Sequence, residues 1–421
     1  MKENIFFAFQ RIKDKLWFRP VIFCLISLLG ALLAQVADNT QLHELVPNIK
    51  TESITELLNI ISSSMLVIAT FTVGSMISAF AAASNTATPR SFNLIITDDV
   101  SRNSLSAFIG SFIFSIVALV ALKNGYYGKA GLFTLFVLTL LFFTLVILTF
   151  LRWVERISRL GRMGHTIKLI EDATHHAICR RINSPTLQGI KISPDMTKGM
   201  EVFSERAGYV VTINMAQLQE IAESLDITFI LNAIPGKFVS IDQPLLYIDA
   251  NRTNKTKAIN TKEIINCFTI NDMRFFEEDP RFGIITLSEI ASRALSPAVN
   301  DPGTAIQIIS SHVRLLSLYN QPQTKKECKD EIYNRVAVPE LVIADLFEDA
   351  FRPIARDGAA NIEVMLRLQK ALRTISKINH DGMAEAATYH SLEAYSRAEQ
   401  VMSLPADLIT LQKKTMSSIP S

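Results

Sequence analysis

Four long apolar segments occupy the first 152 residues and dominate the hydrophobic pattern of the chain. They cover residues 18–37, 57–83, 103–122 and 130–151. A helix needs about 20 mostly apolar residues to cross a bilayer, and each segment is long enough to do so. The pattern therefore predicts a membrane domain of four transmembrane helices over residues 1–152.

Basic residues are distributed unequally between the two ends of these spans. One side carries Lys2, Arg11, Lys13, Lys15, Arg19, Arg90, Arg102, Arg152, Arg156, Arg159, Arg162 and Lys168, and the other carries Lys50, Lys123 and Lys129. Cytoplasmic loops next to membrane spans are enriched in Lys and Arg. We therefore predict that both termini, and the bulk of the soluble part, lie in the cytoplasm.

The pattern changes after the fourth span. Arg152, Glu155 and Arg159 recur at three- or four-residue spacing, which predicts that the fourth helix continues out of the membrane with a basic side. Residues 153–200 are thus interpreted as a juxtamembrane helix followed by a proline-containing linker.

Short β-type segments fill residues 201–276, where apolar and β-branched runs are separated by turn residues such as Pro235 and Gly236. Residues 277–404 have helical apolar spacing, and residues 405–421 are interpreted as a tail. The predicted fold is a membrane α-helical domain followed by a cytoplasmic α+β region, in which a small β-rich module precedes a helical domain.

Composition mainly excludes function classes. Hydrophobic residues make up 49% of the chain, and the excess lies in the predicted spans. The net charge of +2 gives no electrostatic basis for nucleic-acid binding. The cysteines are widely spaced and predict neither a disulfide framework nor a metal site. The chain contains no nucleophile elbow, phosphate-binding loop or dinucleotide fingerprint, so we expect no enzyme, no catalytic residue and no cofactor.

The second apolar segment is unusual because small and hydroxyl residues recur along one helical face. These residues are Ser63, Thr70, Gly74, Ser78, Ala81 and Asn85. Such a face predicts close helix packing, either within the four-helix bundle or between subunits of a homo-oligomer. The alternative is a pore wall, in which hydroxyl groups replace part of the hydration shell of a small ion.

The interior of the spans contains no ionisable residue. Proton relays and ion-coupled carriers place such groups inside the membrane in spite of the cost. Their absence from the spans argues against a proton-coupled transporter. It leaves a passive channel, or a bundle that only transmits a conformational change.

Two polar clusters in the soluble part are candidates for a ligand or regulatory site. The first cluster consists of Glu277, Glu278, Asp279 and Arg281, and the second consists of Arg293, Ser296, Asn300, Asp301 and Thr304. The acids of the first cluster either bind a divalent cation or cap a helix that begins near Gly283. In the second cluster, Asp301 and Pro302 predict a helix start, which either receives an anion or only caps a turn.

The first cluster opens the stretch EEDPRFGIITLSEIASRALSPAVNDPGTAI, at residues 277–306. This stretch resembles the signature of a bacterial family of predicted membrane proteins, domain of unknown function 2254. The Pro89-Arg90 pair and the segments at residues 208–210 and 235–239 fit the same resemblance, which covers most of the chain. The resemblance implies four amino-terminal spans in a bacterial inner membrane, and it brings no catalytic residues.

The leading hypothesis is an oligomeric, channel-like inner-membrane protein whose second helix lies nearest the symmetry axis and whose cytoplasmic part regulates it. The alternative is a membrane-anchored sensor or scaffold without a pore, which binds a small molecule or a partner through residues 277–304. A membrane-bound enzyme is a third class and would require a cleft with converging titratable groups. The expected partners are the lipid bilayer, further copies of the chain, and a small ion or small-molecule ligand.

Overall fold

The computed structural model describes residues 18–36, 38, 46–86, 88–91, 94, 99–159, 162–249, 259–320 and 332–416. The chain forms two compact units, Met1–Thr166 and Ile167–Ser421. The first contains the long apolar helices and is called the membrane unit below. The second combines sheets and helices and is called the carboxy-terminal unit.

Within the described residues, the membrane unit has four helices that are long and apolar enough to cross a bilayer. They are α1 (Phe18–Val36), α2 (Thr51–Thr86), α3 (Asp99–Lys123) and α4 (Lys129–Ile157). The prediction of four membrane helices is therefore confirmed. The longest is α2, with 36 residues, and a short 3-10 turn at Pro89–Ser91 follows it. Proline disfavours helical backbone in the residue before it, which is consistent with the end of α2 at this point.

The central helix of the membrane unit is α3. Half of its apolar stretch is buried, compared with 22% for α2 and α4 and 12% for α1. It packs against all three of the other helices. The core on either side of it includes Phe108 and Phe114, which are fully buried. The second helix, α2, for which the sequence predicts a face of small and hydroxyl residues, is thus a peripheral helix in the single chain.

The start of α4 is held by a residue that follows α1. Gly128, the N-cap of α4, has no side chain to bond the free N–H groups of the first turn. Asp38 supplies the acceptors, because its carboxylate receives the N–H groups of Gly128 (2.6 Å) and Gly131 (2.7 Å). The carboxylate also complements the positive end of the helix dipole.

The basic connection after α4 differs from the predicted continuous helix. The helix ends at Ile157, where the N–H of Arg159 bonds to the carbonyl of Arg156 at 3.0 Å. Bonds to the third residue back tighten the last turn and close a helix. A separate helix, α5 (Met163–Asn183), begins further on, and the boundary between the two units falls within it.

The described strands of the carboxy-terminal unit form two sheets. The strands are β1 (Gly189–Lys191), β2 (Lys198–Phe203), β3 (Gly208–Ile213), β4 (Phe229–Leu231), β5 (Phe238–Val239), β6 (Pro244–Asp249), β7 (Phe268–Asn271) and β8 (Tyr333–Val338). One sheet has the order β1-β8-β4-β6-β2, and the other has the order β5-β3-β7. Buried apolar side chains from both sheets, including Val202, Val210 and Val239, share one core.

The larger sheet joins segments that are far apart in the chain. β8 runs parallel to both of its neighbours, and Gly189 of β1 pairs with Tyr333 of β8. β1 lies in the segment predicted as a linker, and β8 lies in the predicted helical domain. The sheet therefore includes strands from both sides of the predicted β-rich module. This arrangement agrees with the parallel pairing of β1 and β8, since two parallel strands must be joined by a long crossover connection.

The remaining helices are α6 (Met215–Leu225), α7 (Thr261–Ile265), α8 (Pro280–Ala294), α9 (Pro302–Leu316), α10 (Ile343–Asp357), α11 (Ile362–Ile375), α12 (Met383–Val401) and α13 (Pro405–Gln412). The first two pack on the sheets, and α8 to α13 form a helical layer. α8 packs against α9 and α10, and α12 packs against α10 and α11. Phe347 and Phe351 of α10 are fully buried in this helical layer. α13 lies in the predicted tail and buries Leu411, so this part of the tail is structured.

Candidate functional site

The predicted face of α2 points away from the other helices of the membrane unit. Its members Ser63, Thr70, Gly74, Ser78 and Ala81 are all exposed in the single chain, and the side chain of Asn85 lies outside the described residues. α2 packs through its opposite side, where Leu58, Ile61 and Met65 are buried. This face therefore does not pack inside the bundle of the single chain, which was one of the two packing arrangements expected from the sequence.

The polar groups of this face satisfy themselves locally. The hydroxyl of Ser63 donates to the carbonyl of Asn59 at 2.7 Å, and that of Thr70 donates to Leu66 at 2.8 Å. A side chain added at Gly74 would meet no heavy atom within 4 Å. The face is thus open, and the hydroxyl groups of Ser63 and Thr70 are hydrogen-bonded without another helix.

A buried seam of small residues lies on α3, a helix for which the sequence pattern did not predict a packing face. Ser106 and Ser115 are fully buried and donate to the carbonyls of Arg102 and Ser111. A Cβ on Gly110 would lie 3.0 Å from the Cβ of Phe23 on α1. Small residues allow such close approach between membrane helices. The signal was present in the sequence of α3, but its Ser residues were read only as part of a span.

The acidic cluster at residues 277–279 is divided between different partners. Asp279 is the N-cap of α8 and accepts the N–H of Phe282 at 3.2 Å. Its two oxygens also receive Arg274 at 2.7 and 3.0 Å, and both side chains are largely buried. Glu278 pairs instead with Arg180, whose guanidinium also reaches the carbonyl of Glu277 at 3.1 Å.

The cap prediction is thus correct in kind but displaced. α8 begins at Pro280 and not near Gly283, and Gly283 is a buried position against Thr174 of α5, which leaves no room for a Cβ. The capping acid is also buried rather than solvated. A buried carboxylate needs a partner, and the guanidinium of Arg274 provides it.

Arg281 links α8 to α10. Its guanidinium contacts Asp349 through two bonds of 2.6 and 3.2 Å and also reaches Asp345. Burial raises the pKa of the Asp349 carboxyl, and the bonds to Arg281 oppose this rise. The arrangement ties two helices together through a half-buried ion pair, and it leaves no carboxylate of this pair free to bind a cation.

The second cluster is an ordinary helix start. Asp301 accepts the N–H of Thr304 at 3.1 Å and its hydroxyl at 2.5 Å, and these bonds lower the pKa of Asp301. Asn300 has a left-handed backbone with φ of 48°, and Ser296 bonds to the carbonyl of Arg293 at 2.7 Å. Asn300, Asp301 and Arg293 are exposed. The structure brings these residues together as a turn, with the N-cap predicted at Asp301 and Pro302 at the first helical position.

Across the described part of the chain, no group of three or more His, Cys, Asp or Glu side chains could hold a metal ion. Glu171, for example, is committed to α9, because it receives Arg314 at 2.6 and 2.7 Å and the hydroxyl of Ser311 at 2.7 Å. These bonds, led by the one from Arg314, lower the pKa of Glu171.

A cavity of about 570 Å³ lies beside the Arg274–Asp279 pair. Residues from β2, β3, β4, β6, the β4–β5 turn, the start of α8 and the segment before α10 line it. The lining includes Lys198, Tyr209, Lys237, Phe238, Tyr247 and Arg281. Of the residues predicted as a regulatory site, Asp279 and Arg281 belong to this cavity.

Two lysines face the cavity without being balanced by a carboxylate of their own. Lys237 is half-buried and donates to the backbone carbonyl of Asn232 at 2.7 Å. Burial, and then the charge of Lys198, lower the pKa of Lys237. The ammonium group of Lys198 lies 4.7 Å from the ring centre of Tyr247, a cation–π distance.

Aromatic rings form another wall of the cavity. Tyr209 of β3 and Phe238 of β5 are register partners, and their rings meet edge-to-face with centres 5.1 Å apart. Phe238 nevertheless remains 49% exposed. The lining therefore combines four basic side chains and three carboxylates with an accessible aromatic surface, and the third carboxylate, Glu340, pairs with Lys191 at 2.8 Å.

Comparison with known proteins places this architecture in a family. Residues 13–374 match the model of a family described as predicted membrane protein (DUF2254). The chain belongs to this family. No solved structure matches the chain significantly.

The curated relatives cover a smaller region. An uncharacterised protein of Mycobacterium tuberculosis and one of Mycobacterium bovis are each 32% identical to the chain over 111 residues. The matched region is 26% of this chain and 21% of each relative, so the chain aligns with about a fifth of their length. The family membership establishes a membrane protein, in agreement with the four apolar helices.

The cavity lysines and tyrosines were missed by the sequence analysis. Lys198, Tyr209, Lys237 and Tyr247 come from four separate places in the chain, and nothing in their spacing brings them together. One usable signal was the turn at Pro235 and Gly236, which was recognised only as a strand connection. Gly236 has φ of +92°, and a Cβ there would collide with the carboxylate of Asp279. A turn that needs this residue marks a close approach of two segments.

Proposed function

We propose that the chain is a subunit of a homo-oligomeric, channel-like protein of the bacterial inner membrane and that it is not an enzyme. In this proposal α2 meets α2 of neighbouring copies. Both termini and the carboxy-terminal unit lie in the cytoplasm, where that unit regulates the membrane unit. The observation that carries the proposal is the outward orientation of the small-residue face of α2.

Lipid contact alone does not require this kind of face. A helix surface turned to lipid is well served by large apolar side chains, and α2 has such residues at Leu66, Phe71 and Ile77, which are exposed. Small residues are favoured where two backbones approach closely. The exposed positions Gly74 and Ser78 thus support a contact with another helix, and the bundle of the same chain does not provide it.

The chemistry of the spans supports passive conduction. Between Leu57 and Ala82, α2 has no ionisable residue, and its outward face offers hydroxyl groups and a glycine. Ion-coupled carriers generally keep a charged group inside the membrane. Hydroxyl and backbone oxygens can replace part of the hydration shell of an ion that passes along the face.

Disulfide cross-linking tests the contact between copies. In a variant whose four cysteines are replaced by alanine, we expect Gly74→Cys and Ser78→Cys to form cross-linked dimers in native membranes. The matched control is Leu141→Cys on α4, which is 61% exposed and should not cross-link. Equal cross-linking at all three positions, or none at any, would overturn the α2 interface.

Ion flux from liposomes tests the channel. We expect flux from the reconstituted protein and a clear change in that flux for Gly74→Leu, which fills the open face. The control is Ala82→Leu, which introduces the same side chain at an exposed position of the same helix, about 80° around the helix axis. A correctly assembled protein without flux, under varied voltage and tension, would contradict the channel.

A membrane-anchored sensor without a pore is the second candidate, and the cavity of the carboxy-terminal unit favours it. Its volume falls in the range of about 300–1,000 Å³ that is typical of small-molecule sites. A cross-linked oligomer that binds a ligand but conducts no ion would support this candidate over the first.

A further inference from the structure

We propose that the cavity of the carboxy-terminal unit binds a small organic anion that joins a phosphate-type group to a flat ring, the chemistry of a nucleotide. The anion would lie between Lys198 and Lys237, and the ring against Phe238 and Tyr209. This inference rests on the proposed regulatory role of the carboxy-terminal unit, and it gives that role a ligand class.

The arginines of the cavity are already paired with carboxylates, Arg274 with one and Arg281 with two. Arg274 is held by both oxygens of Asp279, and Arg281 is held by Asp349 and Asp345. These pairs fix the start of α8 and connect it to α10. They form the frame of the cavity and supply little free positive charge.

The lysines are different. In the part of the chain that the structure describes, neither Lys198 nor Lys237 forms an ion pair with a carboxylate, and the repulsion between them is part of what lowers the pKa of Lys237. Two ammonium groups that face one cavity repel each other, and an anion between them turns this repulsion into attraction. A compact, doubly charged anion such as phosphate suits two point charges of this kind.

The apolar part of the ligand is indicated by the rim. Phe238 is 49% exposed, and Ile192 and Val342, which also line the cavity, are 42% and 56% exposed. Exposed apolar side chains that converge on a pocket beside a few polar groups are typical of small-molecule sites. A flat ring stacked on Phe238 would cover this surface, and the perpendicular contact with Tyr209 already holds the Phe238 ring in position.

The frame makes the site preorganised. Gly236 lies against Asp279 so closely that no other residue fits there, and Asp279 is itself clamped by Arg274. The turn that carries Lys237 and Phe238 is thereby fixed to the N-terminus of α8. A ligand bound by this turn would therefore be coupled to α8, which Arg281 connects to α10. The turn does not have to fold before the ligand binds, which favours affinity.

The test uses the full-length protein in detergent, with ADP, pyrophosphate and adenosine as probes in equilibrium binding measurements. We expect saturable binding of ADP, weaker binding of pyrophosphate, and no saturable binding of adenosine. Lys198→Gln and Lys237→Gln should each weaken ADP about tenfold or more, because each removes a charge-assisted contact. Lys370→Gln, an exposed lysine on α11, should leave ADP affinity unchanged.

Further variants keep the outcome decisive if Lys237→Gln disturbs folding, since Lys237 also bonds to Asn232. Lys237→Arg retains the charge and should retain most of the affinity. Phe238→Ala removes a half-exposed ring and its contact with Tyr209 but no charge, and should weaken ADP binding while leaving pyrophosphate binding unchanged. Failure of both ADP and pyrophosphate to bind, or equal binding of adenosine and ADP, would overturn the proposal.

A phosphate group could also be presented by a lipid. Binding of ADP is therefore compared in nanodiscs with and without phosphatidylglycerol at constant ionic strength. Unchanged affinity supports a soluble ligand, whereas competition by the lipid would overturn it in favour of a headgroup. Because binding is measured directly, absence of ion flux would count against the channel alone and not against this site.

Discussion

Several hydroxyl side chains in the spans of the membrane unit donate within their own helices, whereas several charged side chains of the carboxy-terminal unit connect elements that are far apart in the sequence. Ser63 of α2 and Ser106 of α3 donate to carbonyl oxygens four residues earlier. Arg314 of α9, in contrast, pairs with Glu171 of α5, which lies 143 residues away. A lipid environment offers no hydrogen-bond partners, so a membrane helix must satisfy its polar groups locally.

The two units should therefore depend on different interactions. Helix association in the membrane unit relies on shape, since lipid tails are as apolar as the side chains they replace. The carboxy-terminal unit depends on a few buried charges and on apolar burial. Substitutions that remove a buried charge should act mainly on the second unit, whereas helix association in the first should respond mainly to changes of side-chain volume.

The largest effect is expected for Asp279→Ala. This change leaves the buried guanidinium of Arg274 without its partner and removes the N-cap of α8. Breaking a buried ion pair from one side costs about 3–5 kcal/mol. Urea unfolding of the full-length protein in detergent, followed by circular dichroism, measures the loss.

Asp381→Ala is the control for this measurement, because Asp381 is an exposed acid of the same unit. Its loss should be small, as for most surface substitutions. If the two variants were equally stable, the Arg274–Asp279 pair would not hold this unit together, and the proposed contrast between the units would fail.

Acid should destabilise the carboxy-terminal unit through His312. This residue is completely buried, and burial lowers its pKa from 6.5 to about 4. The unfolded chain therefore binds a proton that the folded chain does not bind as the pH falls from 6.5 towards 4. The free energy of unfolding should drop by about 3 kcal/mol over this window. His390, whose pKa burial also lowers to about 4, should add to the effect.

Hydrogen exchange over α9, measured at both ends of this pH window, checks the prediction. His312→Leu should reduce the pH dependence, whereas His176→Leu, an exposed histidine on α5, should not. The membrane unit provides an internal reference. Trp153 is buried in it, and the sequence of the carboxy-terminal unit contains no tryptophan, so the unfolding of the membrane unit can be followed by fluorescence. Equal acid sensitivity of both units would contradict the assignment to His312.

A smaller but still clear effect is expected for Gly110→Leu in α3. The space for a side chain is already occupied, because Phe23 Cβ and Ser27 Oγ lie 3.0 and 3.3 Å from the position of a Cβ. Overpacking of this kind costs about 1–3 kcal/mol. Tryptophan fluorescence during titration with a denaturing detergent measures it, and Gly74→Leu serves as the reference with an open site. A loss as large for Gly74→Leu would show that α2 packs inside the bundle after all.

The sequence was sufficient for features that depend on local patterns. The four spans follow from length and apolar content, and Asp301 with Pro302 identified the start of α9. Both signals lie within a few residues of the feature that they predict. The cap at Asp279 was recognised for the same reason, although its burial was not, since Arg274 and Gly236 contribute to it from other segments.

Features that depend on tertiary packing could not be predicted in this way. Periodicity defines a face on α2 but not the direction in which that face points, which is set by packing against α3. The parallel pairing of β1 with β8 joins residues more than 140 positions apart, such as Gly189 and Tyr333. The cavity also depends on tertiary packing. Lys198 lies on β2 and Lys237 lies in the β4–β5 turn, and both line the cavity only in the folded unit.

The smallest effect on stability is expected for Gly74→Ala in α2. A Cβ at this position meets no atom of the chain, and alanine is favoured over glycine in a helix by roughly 0.5–1 kcal/mol. The single chain should therefore be unchanged or slightly more stable, in contrast to the loss expected at Gly110.

Size-exclusion chromatography in mild detergent then separates folding from assembly. If copies meet through α2, Gly74→Ala should weaken the association of the oligomer without destabilising the single chain. The added methyl group meets no atom of its own chain but would face the backbone of α2 in a neighbouring copy. A variant that is more stable and equally oligomeric would leave the open face of α2 to lipid.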